Sequence, residues 1–219
     1  MNEAQQDLIR RHLELIIEAN KTTNLTRIDS LEDGMLLHVE DSLSGLPEIN
    51  AAPEGLYGDL GTGGGFPGIP LAIVTGRATI LADSVGKKTR VLDGVIQELG
   101  LRNQVTTYHG RIEDLSRDHR FSFSVLTARA LSKLSILMEL ASPCLKMGGH
   151  LICYKANVSE EEMEHALGLQ KKLGMALESD RSFVLSDGVT NRRIIVFKKV
   201  AKPKLSLPRQ VGFAQKKPL

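Results

Sequence analysis

The stretch Asp59-Leu60-Gly61-Thr62-Gly63-Gly64-Gly65 places an acid and then four glycines within five positions at the end of a short apolar run. Glycine is required where the backbone takes positive φ or where a ligand must touch the main chain. Phe66, Pro67 and Gly68 follow, then the apolar run Ile69 to Val74. From Tyr57 onward this reads as a strand, a glycine turn and a helix start, with Pro67 suited to the first helical turn. The N–H groups of such a turn can hold a polar or anionic ligand. The dinucleotide fingerprint G-x-G-x-x-G fails from Gly61, because Phe66 stands at its third glycine. From Gly63 it fits, but with Pro67 inside it.

Other residues with chemical potential follow later apolar runs. Asp83 lies 24 positions after Asp59, placed either to accept from ribose hydroxyls or to cap the helix after Ser84. Ile112 and Glu113 follow a third run, where an adenine ring can lie against the apolar side chain. Arg129 sits inside Val125 to Leu131, an uncommon place for a surface arginine. Its guanidinium can pair with a ligand carboxylate or a phosphate. His38 and Asp41, one helical turn apart, are either a catalytic pair or a structural hydrogen bond.

The elements that must position these residues alternate. Glu3 to Ala19 has Ile9, Leu13, Ile16 and Ile17 on one face and predicts an amphipathic helix. Ser30 caps a second helix, with Asp33 as the acid of a capping box. That helix is expected to run to about Leu46 and Pro47, with Met35, Val39, Ser42, Leu43 and Leu46 inward. Strands are predicted at Leu56–Leu60, Ala78–Ala82, Val105–Tyr108, Phe121–Leu126 and His150–Tyr154. Helices are expected at Pro67–Thr75, Gly86–Leu99, Ser132–Cys144 and Val158–Leu173. Ala176–Val184 and Arg192–Lys198 form a closing hairpin. Alternating β and α elements argue a parallel sheet. In such sheets ligands bind beyond the carboxyl ends of the strands, where Gly61, Asp83 and Arg129 stand.

The chain has 219 residues, with 42% hydrophobic and 25% charged, the balance of a soluble globular protein. No run is long and apolar enough to span a membrane, and the polar start does not read as a signal peptide. Cys144 and Cys153 form neither a disulfide scaffold nor a metal set, so a cytoplasmic location is expected. The net charge of +2 hides an asymmetry: seven of the 28 basic residues and no acid lie from Lys198 to Leu219. A basic tail on a mildly acidic body points to a phosphate-rich partner. No G-x-S-x-G, H-E-x-x-H or G-x-x-x-x-G-K-[ST] motif occurs, and the histidines lack metal-ligand spacing. Group transfer from a bound cofactor is the simplest reading.

The frame D-x-G-x-G-x-G from Asp59 looks like motif I of the S-adenosylmethionine (SAM) methyltransferases. The whole chain resembles the GidB/RsmG family, the bacterial 16S ribosomal RNA guanine-N7 methyltransferases. Four stretches carry the resemblance. They are Asn24-Leu25-Thr26 with His38-x-x-Asp41-Ser42-Leu43; Asp59 to Ala72 with its F-P-G-I-P ending; Arg111-x-Glu113 with Ala128-Arg129-Ala130-Leu131; and Leu207-Pro208-Arg209 with Gly212 and the closing Lys217-Pro218-Leu219. The sequence departs from the family at Ala128, where a serine is usual, at Ala156, where a glycine is usual, and at Val211 and Ala214, which replace tail prolines.

The resemblance implies a class I SAM-dependent, Rossmann-like α/β fold: a seven-stranded, mostly parallel sheet with the last strand antiparallel. It implies SAM as donor and N7 of a guanine in small-subunit (16S) rRNA as acceptor, the guanine at position 527. Its cofactor contacts fall on Gly61, Phe66, Ile112, Glu113 and Arg129; Asp83 is added from the fold logic. Guanine N7 carries a free lone pair, so no general base is required, and Arg129 is the one residue considered for a catalytic role. The tail residues Arg209, Lys216 and Lys217 are expected to meet RNA in the small ribosomal subunit. Expected divisions are an N-terminal helical extension (1–54), a SAM-binding domain (55–200) and a basic tail (201–219), in a monomer without metal. A SAM-dependent methyltransferase acting on another RNA, and a nicotinamide-dependent oxidoreductase, are the alternatives.

Overall fold

A computed structural model describes all residues, 1–219. Seven strands form one sheet in the order β3-β2-β1-β4-β5-β7-β6. They are β1 (Tyr57–Leu60), β2 (Thr79–Asp83), β3 (Val105–His109), β4 (Phe123–Arg129), β5 (Leu145–Lys155), β6 (Met175–Val184) and β7 (Asn191–Lys199). The first five pair in parallel, and β7 runs antiparallel to both β5 and β6. The expected seven-stranded sheet with an antiparallel last strand is therefore present. Parallel register brings Leu60 opposite both Ala82 and Ala128, so Gly61, Asp83 and Arg129 emerge at the same edge.

Helix α1 (Glu3–Asn20) starts in a capping box between Asn2 and Gln5. Its Ile9, Leu13 and Ile16 share one apolar cluster with Phe66, Ile69, Leu81 and Leu92. The N-terminal segment thus packs into the same core as α5 (Gly68–Thr75) and α6 (Gly86–Glu98). Ser30 caps α2 (Leu31–Gly34) by accepting from the Asp33 N–H. The single helix expected from Ser30 does not run through. A π-helical segment, Met35–Glu40, separates α2 from the short α3 (Asp41–Leu43). The wider turn rotates the buried face, so Met35 is 41% exposed instead of inward, while Val39 and Ser42 are buried. Pro47 does not end this helix. It lies in the first turn of α4 (Leu46–Ala51), where its missing N–H leaves nothing unbonded.

Other boundaries move for physical reasons. Pro67 occupies the cap position just outside α5. Ile112 and Glu113, expected only to follow the third strand, begin a helix, α7 (Ile112–Asp118). Gly148 takes φ of 78° within β5, where five residues of that strand span two of β4, a bulge of the kind glycine permits. The acid-rich helix splits into α9 (Glu160–Gly168) and α10 (Gln170–Leu173), and α8 (Leu134–Ala141) is shorter than expected. The C-terminal tail is docked: Leu207 joins the largest apolar cluster, and Ala214 of the turn α11 (Phe213–Lys216) packs on Ile136 and Leu140 of α8.

Candidate active site

Asp59 is a brace for the glycine loop. Its buried carboxylate accepts from Thr62 Oγ1 at 2.6 Å, from the Gly68 N–H at 3.2 Å and from Thr127 Oγ1 at 2.7 Å. Burial pushes its pKa above the ordinary value, and these donors pull it back. Between the anchored ends the loop turns through Gly61, Gly63 and Gly65 at φ of 69°, 58° and 85°, angles that side chains rarely adopt. His12 secures the loop from α1, its Nε2 lying 2.9 Å from the Gly64 carbonyl oxygen. Burial lowers the His12 pKa to about 3, so the ring is neutral and its Nε2–H donates. Sequence reasoning passed over His12, although it lies between Ile9 and Ile16 on the apolar face of α1.

Two cavities open at the carboxyl edge of the sheet. The first, of about 260 Å³, is lined by Gly61, Asp83, Lys88, Arg111, Ile112 and Glu113 among others. Four of the six expected cofactor residues therefore meet there. Asp83 accepts from the Gly63 N–H at 3.0 Å and from the Val85 N–H at 2.9 Å. It ties the glycine loop to β2 and does not act as the cap residue of α6, which is Val85. Glu113, only 4% exposed, accepts from the Gly212 N–H at 2.7 Å.

The second cavity, of about 520 Å³, is lined by residues including His38, Asp41, Arg129, Tyr154, Lys155 and Arg192. Arg129 faces this cavity, not the first, and its charge is already engaged. It donates to Asp41 Oδ2 at 3.0 Å, to the Leu37 carbonyl at 3.1 Å and to His38 Nδ1 at 3.0 Å. Asp41 also accepts from Arg192 Nε at 3.0 Å. His38 and Asp41 thus meet through Arg129, because the π-helical segment aims both at β4 instead of at each other. Burial, aided by Arg129, lowers the His38 pKa to about 4. Phe66 lines neither cavity. It is buried between the rings of His12 and His38, with centroids 4.2 and 4.6 Å away. Arg192 had no signal in the sequence beyond its charge, since it reaches the cavity only through the placement of β7 in the sheet.

The cavities share Ala130, which holds a left-handed φ of 51°. Such strain in a residue with a side chain persists where the surroundings enforce it, often at functional sites. Among the tail residues, Arg209 is not free for RNA. It forms a two-pronged ion pair with buried Glu139, both distances 2.7 Å. Lys216 and Lys217 are exposed.

A family model described as rRNA small subunit methyltransferase G matches residues 5–194. The chain belongs to this family. The ribosomal RNA small subunit methyltransferase G of Lactobacillus johnsonii is 34% identical over 225 residues, covering all of this chain and 93% of that protein. That of Nostoc punctiforme is 36% identical, covering 98% and 91%. Among solved structures, a geranyl diphosphate methyltransferase in complex with SAM superposes with a TM-score of 0.55 at 12% identity, over 73% of this chain and 85% of that one. The [4+2]-cyclase SpnF superposes with a TM-score of 0.59 at 13% identity, over 74% and 81%. These two matches establish the fold alone, and the cyclase shows that one sheet hosts unrelated chemistries. Membership of the methyltransferase G family sets aside the oxidoreductase alternative. No helix of this methyltransferase is long and apolar enough to cross a membrane.

Proposed function

We propose that the protein transfers a methyl group from SAM to N7 of a guanine in small-subunit (16S) ribosomal RNA, by family resemblance the guanine at position 527. The observation that carries this reading is the pair of cavities joined at Ala130, one suited to the donor and one to the acceptor. The first cavity fits an adenosyl ligand. A Cβ on Gly61 would lie 2.7 Å from Leu131 Cδ1, so the main chain stays bare there. Asp83 and Glu113 offer acceptors to hydroxyls, and Ile112 offers apolar surface. The buried Arg111 Nε has no hydrogen-bond partner and lies 3.8 Å from Glu113 Oε2, a donor left for a ligand.

SAM supplies a methyl group on a positively charged sulfur, already activated for transfer. The chain then has to hold and align the two partners, an effect that can lower a barrier by about 7–11 kcal/mol. Neither His38 nor Tyr154 is arranged as a base. The lone pair of His38 Nδ1 is taken by Arg129, and the Tyr154 hydroxyl donates to the Ser42 carbonyl at 2.8 Å, with burial holding its pKa well above the ordinary value. An acceptor nucleophilic while neutral, such as guanine N7, suits this site. Arg192, which shares Asp41 with Arg129, and Lys155, which pairs with Glu162 at 2.8 Å, line the second cavity; the donors these pairs leave over suit a nucleotide phosphate or guanine O6. Lys216 and Lys217, exposed on the tail beside the first cavity, add further charge for the RNA.

The test is calorimetric titration with SAM, and with NAD as control, followed by transfer of labelled methyl groups to small ribosomal subunits lacking the modification. SAM binding and labelling of one guanine are expected, both lost in Gly61→Arg. NAD binding without SAM binding, or binding without methyl transfer to small-subunit RNA, would overturn the reading.

A further inference from the structure

The first cavity is closed on one side by the C-terminal segment: Gln215 is part of its lining. That residue arrives some 85 positions after Ala130, which lines the same cavity. Three attachments hold the segment there. Arg209 Nε and Nη2 each donate to Glu139 of α8 at 2.7 Å. The Gly212 N–H donates to Glu113 of α7 at 2.7 Å, in a turn where Gly212 takes φ of 80°. Ala214 is buried against Ile136 and Leu140. Glu113 and Glu139 are each only 4% exposed. The segment supplies the guanidinium that pairs with Glu139 and the N–H that bonds Glu113. Detaching it leaves the buried Glu139 carboxylate without its cation and Glu113 with only Arg111 Nε, 3.8 Å away, an unfavourable state. The segment is thus latched onto α7 and α8.

Resting on the reading of the first cavity as the SAM site, we infer that residues 209–217 complete that site, with Gln215 as a cofactor-binding side chain. Glu113 and Glu139 are positioning residues that hold the segment in place. The Gln215 amide, which both donates and accepts, adds a neutral polar group to a lining whose other polar side chains include the charged Asp83, Lys88, Arg111 and Glu113. Glu113 therefore serves twice, as an acceptor in the cavity lining and as the anchor of the tail. Lys216 and Lys217 follow directly in the chain, so the segment that closes the donor site also carries the charges offered to RNA.

The experiment uses the full chain. SAM affinity is measured by calorimetry for wild type, Gln215→Ala, Glu139→Gln and Gly61→Arg, and trypsin cleavage after Arg209 and Lys216 is followed with and without SAM. Gln215→Ala is expected to weaken SAM binding about tenfold while its tail stays as protease-resistant as in wild type. Glu139→Gln is expected to weaken binding and to speed cleavage, with SAM restoring protection. Wild-type affinity in both variants, with Gly61→Arg still defective, would overturn this inference and leave the SAM site standing. Failure of wild type to bind SAM would remove both.

Discussion

Arg129 donates to Asp41 at 3.0 Å across 88 residues of sequence, joining the end of β4 to the helical segment that precedes the sheet. The two side chains are 14% and 5% exposed, and the same carboxylate holds Arg192 of β7. One acid thus fixes two cations, from β4 and β7, along the wall of the second cavity.

Asp41→Ala leaves both guanidiniums without their anion in a largely buried setting. Removing one partner of a buried pair costs about 3–5 kcal/mol, and the partial exposure of Arg192 places this change at the lower end. Urea unfolding should show that loss, and a double-mutant cycle with Arg129→Ala should return a coupling above about 1 kcal/mol.

Arg192→Ala removes the outer cation while Asp41 keeps Arg129. The expected outcome is a raised KM for small ribosomal subunits with the SAM dissociation constant unchanged, since Arg192 does not line the first cavity. Steady-state kinetics and calorimetry on the same preparation check this. Equal weakening of both substrates would place Arg192 in a general structural role.

Gly68→Ala tests the brace beneath the glycine loop. Its Cβ would clash with Leu81 Cδ2 and come within 2.9 Å of Asp59 Oδ2. Overpacking of this kind costs about 1–3 kcal/mol, and the displaced carboxylate should also weaken SAM binding. Thermal unfolding and titration report the two effects separately.

The buried histidines predict the direction of acid sensitivity. His12 and His38 have pKa values of about 3 and about 4 in the folded chain, against 6.5 when unfolded. Between pH 6.5 and 4 the unfolded state binds more protons, so the stability from keeping these rings neutral is full above 6.5 and is lost as pH falls. At pH 5 the loss is about 1–2 kcal/mol per ring. The ring protons of both histidines should not titrate in NMR spectra between pH 5.5 and 8, and the urea midpoint contributed by His12 should fall between pH 7 and 5.

Lys216→Ala and Lys217→Ala should weaken RNA binding most at low salt. If each lysine meets a phosphate, each loss reduces the slope of log K against log salt by about 1. Filter binding across a salt series reads this directly.

The sequence by itself determined the alternation of strands and helices, the glycine turn after Asp59 and the edge at which Gly61, Asp83, Ile112 and Glu113 meet. These follow from local rules: apolar periodicity, positive φ at glycine, and the carboxyl-end placement of ligands in parallel sheets. The pairing of the charges came from the folded chain. Arg129 turned from the expected cofactor site to Asp41 and His38, Arg209 from RNA to Glu139, and Glu113 toward the Gly212 N–H. A buried charge takes whatever partner folding brings within about 3 Å, and these partners lie 70 to 99 residues away. No local pattern encodes such a meeting. It depends on the π-helical rotation at Met35–Glu40, on the placement of β7 in the sheet, and on the return of the tail across α7 and α8.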